Sequence, residues 1–280
     1  MSKPDANPQI HPHLGKSCPV TGEHGFCPPR PEDSRSPCPA LNTMANHGYI
    51  NRDGKNVSAW QIQRGLKACY GLSTPLALFL TYVGFAMLKR VRPINLFEIG
   101  KHNVIEHNAS LVHHDTPEGH EFAPIHIDQS LVDKLINDVK PEKEGDKSGE
   151  SLMNAVDVAR SRIRREKECG PVDNVHAEIA RGEMAIILGV WETKSQNKAG
   201  IPTEWMRRWI GHEQLPDDWR PTQKQGLLNT IGRSKAIRTA MAEMRKADTS
   251  STATEGTSAS GTLNGKAPST TTADDPKAMQ

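Results

Sequence analysis

Six apolar runs with helical periodicity, at residues 58–70, 73–90, 128–139, 151–168, 173–193 and 203–211, confine this chain to a mainly α fold. Runs with the alternation of a half-buried strand are sparse, and no internal repeat is present. The 280 residues suffice for one large domain or two small ones. A polar, proline-rich arm extends to about residue 35. From about Asp248 the chain is rich in Ser, Thr, Ala and Gly, too poor in apolar surface to fold, so disorder is expected there.

The stretch from Ala68 to Leu88 carries no charge, and Lys89, Arg90 and Arg92 follow it as at a membrane boundary. Gly71, Pro75 and Gly84 interrupt it, leaving less than the ~20 apolar residues of a span, so a buried core helix is expected and a membrane helix is not. The basic run from Arg160 to Lys167, interleaved with Glu166 and Glu168, reads as a solvated helix face. A net charge of +2 gives no sign of a nucleic-acid partner, and none is expected.

Five cysteines, at 18, 27, 38, 69 and 169, form no C-x-x-C pair, which argues against a zinc ribbon. The odd count, with no apolar secretory core in "MSKPDANPQIHPHLGK", argues against a disulfide framework and for an intracellular, cytoplasmic protein.

One cysteine stands apart. In "SRSPCPALNTMANHGY", Pro39 suits the first position of a short helix that Gly48 stops, making Cys38 its N-cap. A residue before proline is driven extended, as an N-cap must be, and the free amides of Ala40 and Leu41 then face the sulfur. Amides and the positive helix end favour thiolate over thiol. Such a sulfur suits a nucleophile, a redox sensor or a metal ligand; a small capping residue is the plainer alternative. A nucleophile would need a base, for which His47 is the neighbour in sequence.

Two further segments carry chemistry. "IEHNASLVHHD" sets Glu106 and Ser110 four residues apart, on one face of a helical turn. A carboxylate, a hydroxyl and a backbone carbonyl are hard oxygen ligands suited to Mg²⁺, needing water or an outside anion to complete the shell. "AEIARGEMAIILGVW" puts Glu183 at the edge of an apolar helix, either as a margin charge reaching water or as an acid/base of tuned pKa.

Taken together, "SRSPCPALNTMANHGYINRDGKN", "IEHNASL" and "RGEMAIILGV" follow the order and spacing of the haem-thiolate peroxidases, the family of chloroperoxidase and the unspecific peroxygenases. "GHEQLPDDWRP" (Gly211 to Pro221) is similar to that family's carboxy-terminal segment, so the resemblance covers roughly residues 25–225. It implies an all-α fold with a single haem-binding domain of chloroperoxidase type at 25–247, a polar arm at 1–24 and a disordered tail at 248–280.

The resemblance implies haem b with Cys38 as axial iron ligand, and Mg²⁺ (or Mn²⁺) held by Glu106, the His107 carbonyl and Ser110 with a haem propionate. It implies Glu183 as the acid-base residue, positioned by His107, as in chloroperoxidase and the short peroxygenases. Asn108 departs from the usual aspartate, and an amide there would orient His107 without adding charge. The implied activity is peroxide-driven oxidation or oxygenation of a small organic substrate, of a kind met in fungal secondary metabolism. A haloperoxidase and a catalytically degenerate haem-binding relative are the alternatives. Oligomeric state is not legible in the sequence.

Overall fold

The computed structural model describes residues 24–140, 151–195 and 198–257. Eight α-helices run through the described residues: α1 (Pro39–Asn46), α2 (Ala59–Tyr70), α3 (Thr74–Met87), α4 (Gln129–Asn137), α5 (Ala155–Glu168), α6 (Asn174–Trp191), α7 (Thr203–His212) and α8 (Leu227–Thr257). A 3-10 turn, Leu96–Gly100, follows α3. Three short strands, β1 (Leu152–Met153), β2 (Thr193–Ser195) and β3 (Lys198–Pro202), pair antiparallel in the order β1-β3-β2. The fold is the mainly helical one expected, with α2 to α7 on the six apolar runs.

Side chains set the helix ends. Ser58 and Gln61 close a capping box on α2, Asn154 and Asp157 another on α5, and Asp128 and Asp173 cap α4 and α6. Gly71 ends α2 at φ +68°, where a Cβ would lie 2.6 Å from the Gln223 carbonyl oxygen, so glycine is required. Trp191, Trp209, Met44, Leu76, Met206 and Ile237 are fully buried and anchor the core.

Four expectations need correction. First, α3 is no core helix. Leu76, Ala77, Thr81 and Phe85 are buried, but Leu78, Phe79, Tyr82 and Val83 are exposed, Tyr82 by 52%. An all-apolar sequence has no period from which to tell its faces, so burial on one side only was illegible.

Second, the face of α5 expected in solvent is partly core: Arg162 is 2% and Arg165 4% exposed. Third, Cys27 is disulfide-bonded, while Cys38, Cys69 and Cys169 are free among the described residues. An odd total still leaves room for a pair, and sequence spacing does not report Cβ separation. Fourth, α8 continues to Thr257, beyond the boundary expected at Asp248. The helix formers of "KAIRTAMAEMRKAD" run only to Asp248; the helix extends past them because each added residue brings a bond without a new nucleation cost. The first of two compact units ends at Ala242, and the second begins at Glu243. Residues 1–23 and 258–280, the bulk of the arm and tail, lie outside the described residues.

Candidate active site

Cys38 occupies the N-cap of α1 in the extended conformation (φ −93°, ψ 106°), with Pro39 as first helical residue. Burial is the largest influence on its thiol and raises its pKa to about 11; the amides of Leu41 and Ala40 pull the other way and lose. Neither amide makes a complete capping hydrogen bond. The amides of the helix mouth do not by themselves outweigh desolvation at this sulfur. A bound cation in place of the proton would reverse the balance.

The carboxy-terminal motif clasps α1. Asn42 Nδ2 donates to Glu213 Oε1 at 2.6 Å, and Asn46 Nδ2 reaches the Glu213 carbonyl at 3.3 Å. Burial raises the pKa of Glu213, opposed by Asn42 and by the charge of Arg35. Trp219 Nε1 donates to the Cys69 carbonyl at 2.8 Å, tying the same segment to α2.

His47, the base suggested by sequence proximity to Cys38, is committed elsewhere. Its Nδ1 donates to the His24 carbonyl at 2.8 Å and its Nε2 accepts the Leu215 amide at 3.1 Å. With both nitrogens in use it cannot serve as base for Cys38.

Glu106 and Ser110 lie on an irregular loop rather than a helical turn, with Ala109 between them at φ +62°. Two arginines of α5 hold that loop. Arg162 Nη1 donates to the Ala109 carbonyl at 2.7 Å, and Arg165 donates to the carbonyls of Ser110 (2.7 Å) and His113 (3.2 Å). Asp115 Oδ1 accepts the Ala109 amide at 2.8 Å. Sequence reasoning passed over Arg162, Arg165 and Asp115. The weak available signal was the three-residue spacing of Arg162 and Arg165, which puts both on one face of α5.

Glu106 has a 9% exposed side chain; its Oε2 lies 2.7 Å from His102 Nδ1 and 3.4 Å from Thr116 Oγ1. The Ser110 hydroxyl accepts the His113 amide at 3.2 Å.

His107 is 7% exposed, and its Nε2 lies 3.6 Å from Oε2 of Glu183 on α6. Burial alone would lower its pKa, but the neighbouring Glu183 carboxylate and the Asn108 carbonyl outweigh it, and the net shift is upward. At 3.6 Å the contact is an ion pair rather than a formed hydrogen bond. His107 Nδ1 donates 2.7 Å to the main-chain carbonyl of Asn108. The Asn108 side chain does not orient the ring, which corrects the role expected for it; its Oδ1 is buried without a hydrogen-bond partner.

Cys38, Glu106, His107, Ser110 and Glu183 all line one cavity of about 310 Å³, joined by Arg162. Its apolar walls include Leu66 of α2, Leu80 and Phe85 of α3, and Ile187 and Val190 of α6. Thus α3 has one face on the cavity and the other exposed. Among the described residues no group of three or more His, Cys, Asp or Glu side chains could hold a metal ion. None of their helices is long and apolar enough to cross a membrane.

A mainly helical domain with a helix-mouth cysteine, a Glu-His loop and a distant glutamate on one cavity matches a known family. The profile of Peroxidase, family 2, matches residues 24–224, and the chain belongs to this haem-thiolate peroxidase family. It is 23% identical to the chloroperoxidase of Leptoxyphium fumago over 217 residues, 70% of this chain and 57% of that protein. A 68-residue stretch is 46% identical to the dothistromin biosynthesis peroxidase dotB of Dothistroma septosporum, covering 24% of this chain and 16% of that protein. A 70-residue stretch is 37% identical to the aromatic peroxygenase of Coprinellus radians, covering 25% and 26%. The matches span from 16% to 57% of these relatives' lengths.

Proposed function

We propose that this protein is a haem-thiolate peroxidase or peroxygenase that uses hydrogen peroxide to oxidise or oxygenate a small apolar organic substrate. The supporting observation is the convergence of Cys38, Glu106, His107, Ser110 and Glu183 on one largely apolar cavity. The residues fit haem. A half-buried thiol on the cavity, its pKa raised to about 11, is a site at which iron can replace the proton, and the apolar walls suit a porphyrin face. They also fit a divalent cation held jointly with an anionic ligand, since Glu106 and Ser110 offer hard oxygens but a single carboxylate.

In this reading Cys38 would hold the haem iron, and Glu106, the His107 carbonyl and Ser110 would hold Mg²⁺ or Mn²⁺. Haem, when bound, supplies the redox chemistry of O–O cleavage, which electron density from a thiolate ligand favours. Glu183 takes a proton from one oxygen of peroxide and returns it to the other, which departs as water. Its side chain is 54% exposed, so it can exchange that proton. His107, fixed by the Asn108 carbonyl, holds Glu183 in place through their ion pair. The aliphatic walls exclude water and select apolar substrates.

Haem reconstitution followed by a spectrum of the reduced, CO-bound protein tests the reading, with the thiolate signature expected. Product analysis with an apolar substrate and peroxide, with and without halide, then separates oxygenation from halogenation. A spectrum lacking thiolate character, or no peroxide-dependent product, would overturn it.

A further inference from the structure

Four of the five tryptophans of this chain form one connected group with a tyrosine on the cavity wall. Tyr70, Trp191 and Trp209 line the cavity that contains Cys38. The Tyr70 hydroxyl donates to the carbonyl of Ala40, two residues beyond Cys38, at 2.8 Å. Tyr70 lies 6.2 Å from Trp191 and from Trp209 between ring centroids, and those two indoles are 5.0 Å apart. From Trp191 the group continues to Trp219 at 4.1 Å and to Trp205 at 6.4 Å, which are 5.9 Å from each other. Trp191 and Trp209 are buried, with 1% and 2% exposure, whereas Trp205 and Trp219 are half-buried at the surface.

We propose that these rings form a one-electron relay to a second, surface oxidation site at Trp205 and Trp219, for donors too large to enter the cavity. This rests on the peroxide-dependent reading of the site. Indole and phenol are the ring side chains that most readily lose one electron, and every step along the chain is a contact between neighbouring aromatic rings. Tyr70 is a poor resting place for the missing electron. Its proton is hydrogen-bonded only to a neutral carbonyl, and burial raises its pKa well above the ordinary phenol value. The indoles of Trp191 and Trp209 can lose an electron without losing a proton. Trp219 keeps its Nε1 proton in the 2.8 Å bond to the Cys69 carbonyl while carrying positive charge near the surface.

The electrons balance with the reagents of the proposed reaction. Peroxide takes up two electrons and two protons and leaves as two waters. The oxidised site recovers each electron from Trp191 or Trp209, which is refilled through Trp219 or Trp205. Two one-electron donors at the surface are each oxidised once. Solvent supplies any protons that the donors do not.

The test uses the haem-loaded full chain and two probes: a small phenol that enters the cavity, and ferrocytochrome c, a protein donor that cannot. Trp205→Phe, Trp219→Phe and the double variant keep an aromatic ring at sites outside the cavity lining. Wild type mixed with peroxide and frozen without donor should show a tryptophanyl radical by electron paramagnetic resonance. After turnover, peptide mapping should find oxidised Trp205 or Trp219. The double variant should lose the surface component of that signal and oxidation of ferrocytochrome c, while phenol turnover stays at the wild-type level. If Trp219→Phe folds poorly, Trp205→Phe, which breaks no identified hydrogen bond, is read alone. Slower ferrocytochrome c oxidation at wild-type phenol turnover then supports the relay, and an unchanged rate overturns the role of Trp205 as a surface site. Unchanged ferrocytochrome c oxidation in a folded double variant, or no tryptophanyl radical in a wild type that turns over phenol, would show that the rings serve packing only. A wild type inactive toward the phenol as well overturns the underlying peroxidase reading, and the relay with it.

Discussion

His107 is held through the main chain of Asn108: its Nδ1 donates to the Asn108 carbonyl at 2.7 Å, leaving Nε2 to face Glu183 at 3.6 Å. A backbone acceptor is insensitive to which side chain position 108 carries. Asn108→Ala should therefore leave the pH profile of the reaction with peroxide in place. Stopped-flow mixing over a pH series is the measurement, and a displaced profile would return the orienting role to the amide.

The His107–Glu183 pair makes a titration prediction. The folded pKa of His107 lies above its ordinary value, so its stabilisation is complete below about pH 6.5 and fades as pH rises through the folded value. In Glu183→Gln burial is opposed only by the Asn108 carbonyl, and the His107 pKa should fall relative to wild type. NMR titration of the haem-free protein reads this directly. The same variant, loaded with haem, should keep its spectrum but react with peroxide roughly 10²–10⁴-fold more slowly.

Cys38→Ala should abolish the thiolate signature of the reduced, CO-bound protein. Cys169→Ser should retain it, since neither Cys169 nor Cys69 is among the residues that line the cavity. Retention of the signature in Cys38→Ala would assign the iron ligand elsewhere.

Arg165 is 4% exposed and donates to the carbonyls of Ser110 and His113. Arg165→Met fills the volume but leaves those acceptors without this donor, at a cost of about 1–3 kcal/mol in unfolding free energy. Urea denaturation checks the loss. Proteolysis near residues 106–115 should rise, because the loop that carries Glu106 is released.

Glu213 gives a pH dependence of opposite sense to that of an ordinary surface carboxylate. Burial raises its folded pKa, so ionising it destabilises the fold as pH climbs from about 4.3 through the folded value. Glu213→Gln preserves an acceptor for Asn42 and removes the half-buried charge. The variant should melt at a higher temperature than wild type near neutrality, with the difference vanishing in acid.

Much of the fold and site was legible because the signals are local. Apolar periodicity places α2 to α7, and the Pro-Cys-Pro cap with Gly48 delimits α1, since caps act within a turn of the helix end. The order of the Cys38, Glu106 and Glu183 motifs carried the family. Tertiary structure decided what depends on neighbours distant in sequence. Desolvation, which no residue expresses alone, pushes the Cys38 pKa up against the pull of its own amides. Burial also turned Arg162 and Arg165 from a solvated face into clamps on a loop some 50 residues earlier. Packing of α6 against α7 and the segment after it brought Trp191 onto Trp209 and Trp219, although nothing in their spacing announces a continuous aromatic path. Desolvation and long-range hydrogen bonding depend on the three-dimensional surroundings, and these exist only once the chain has folded.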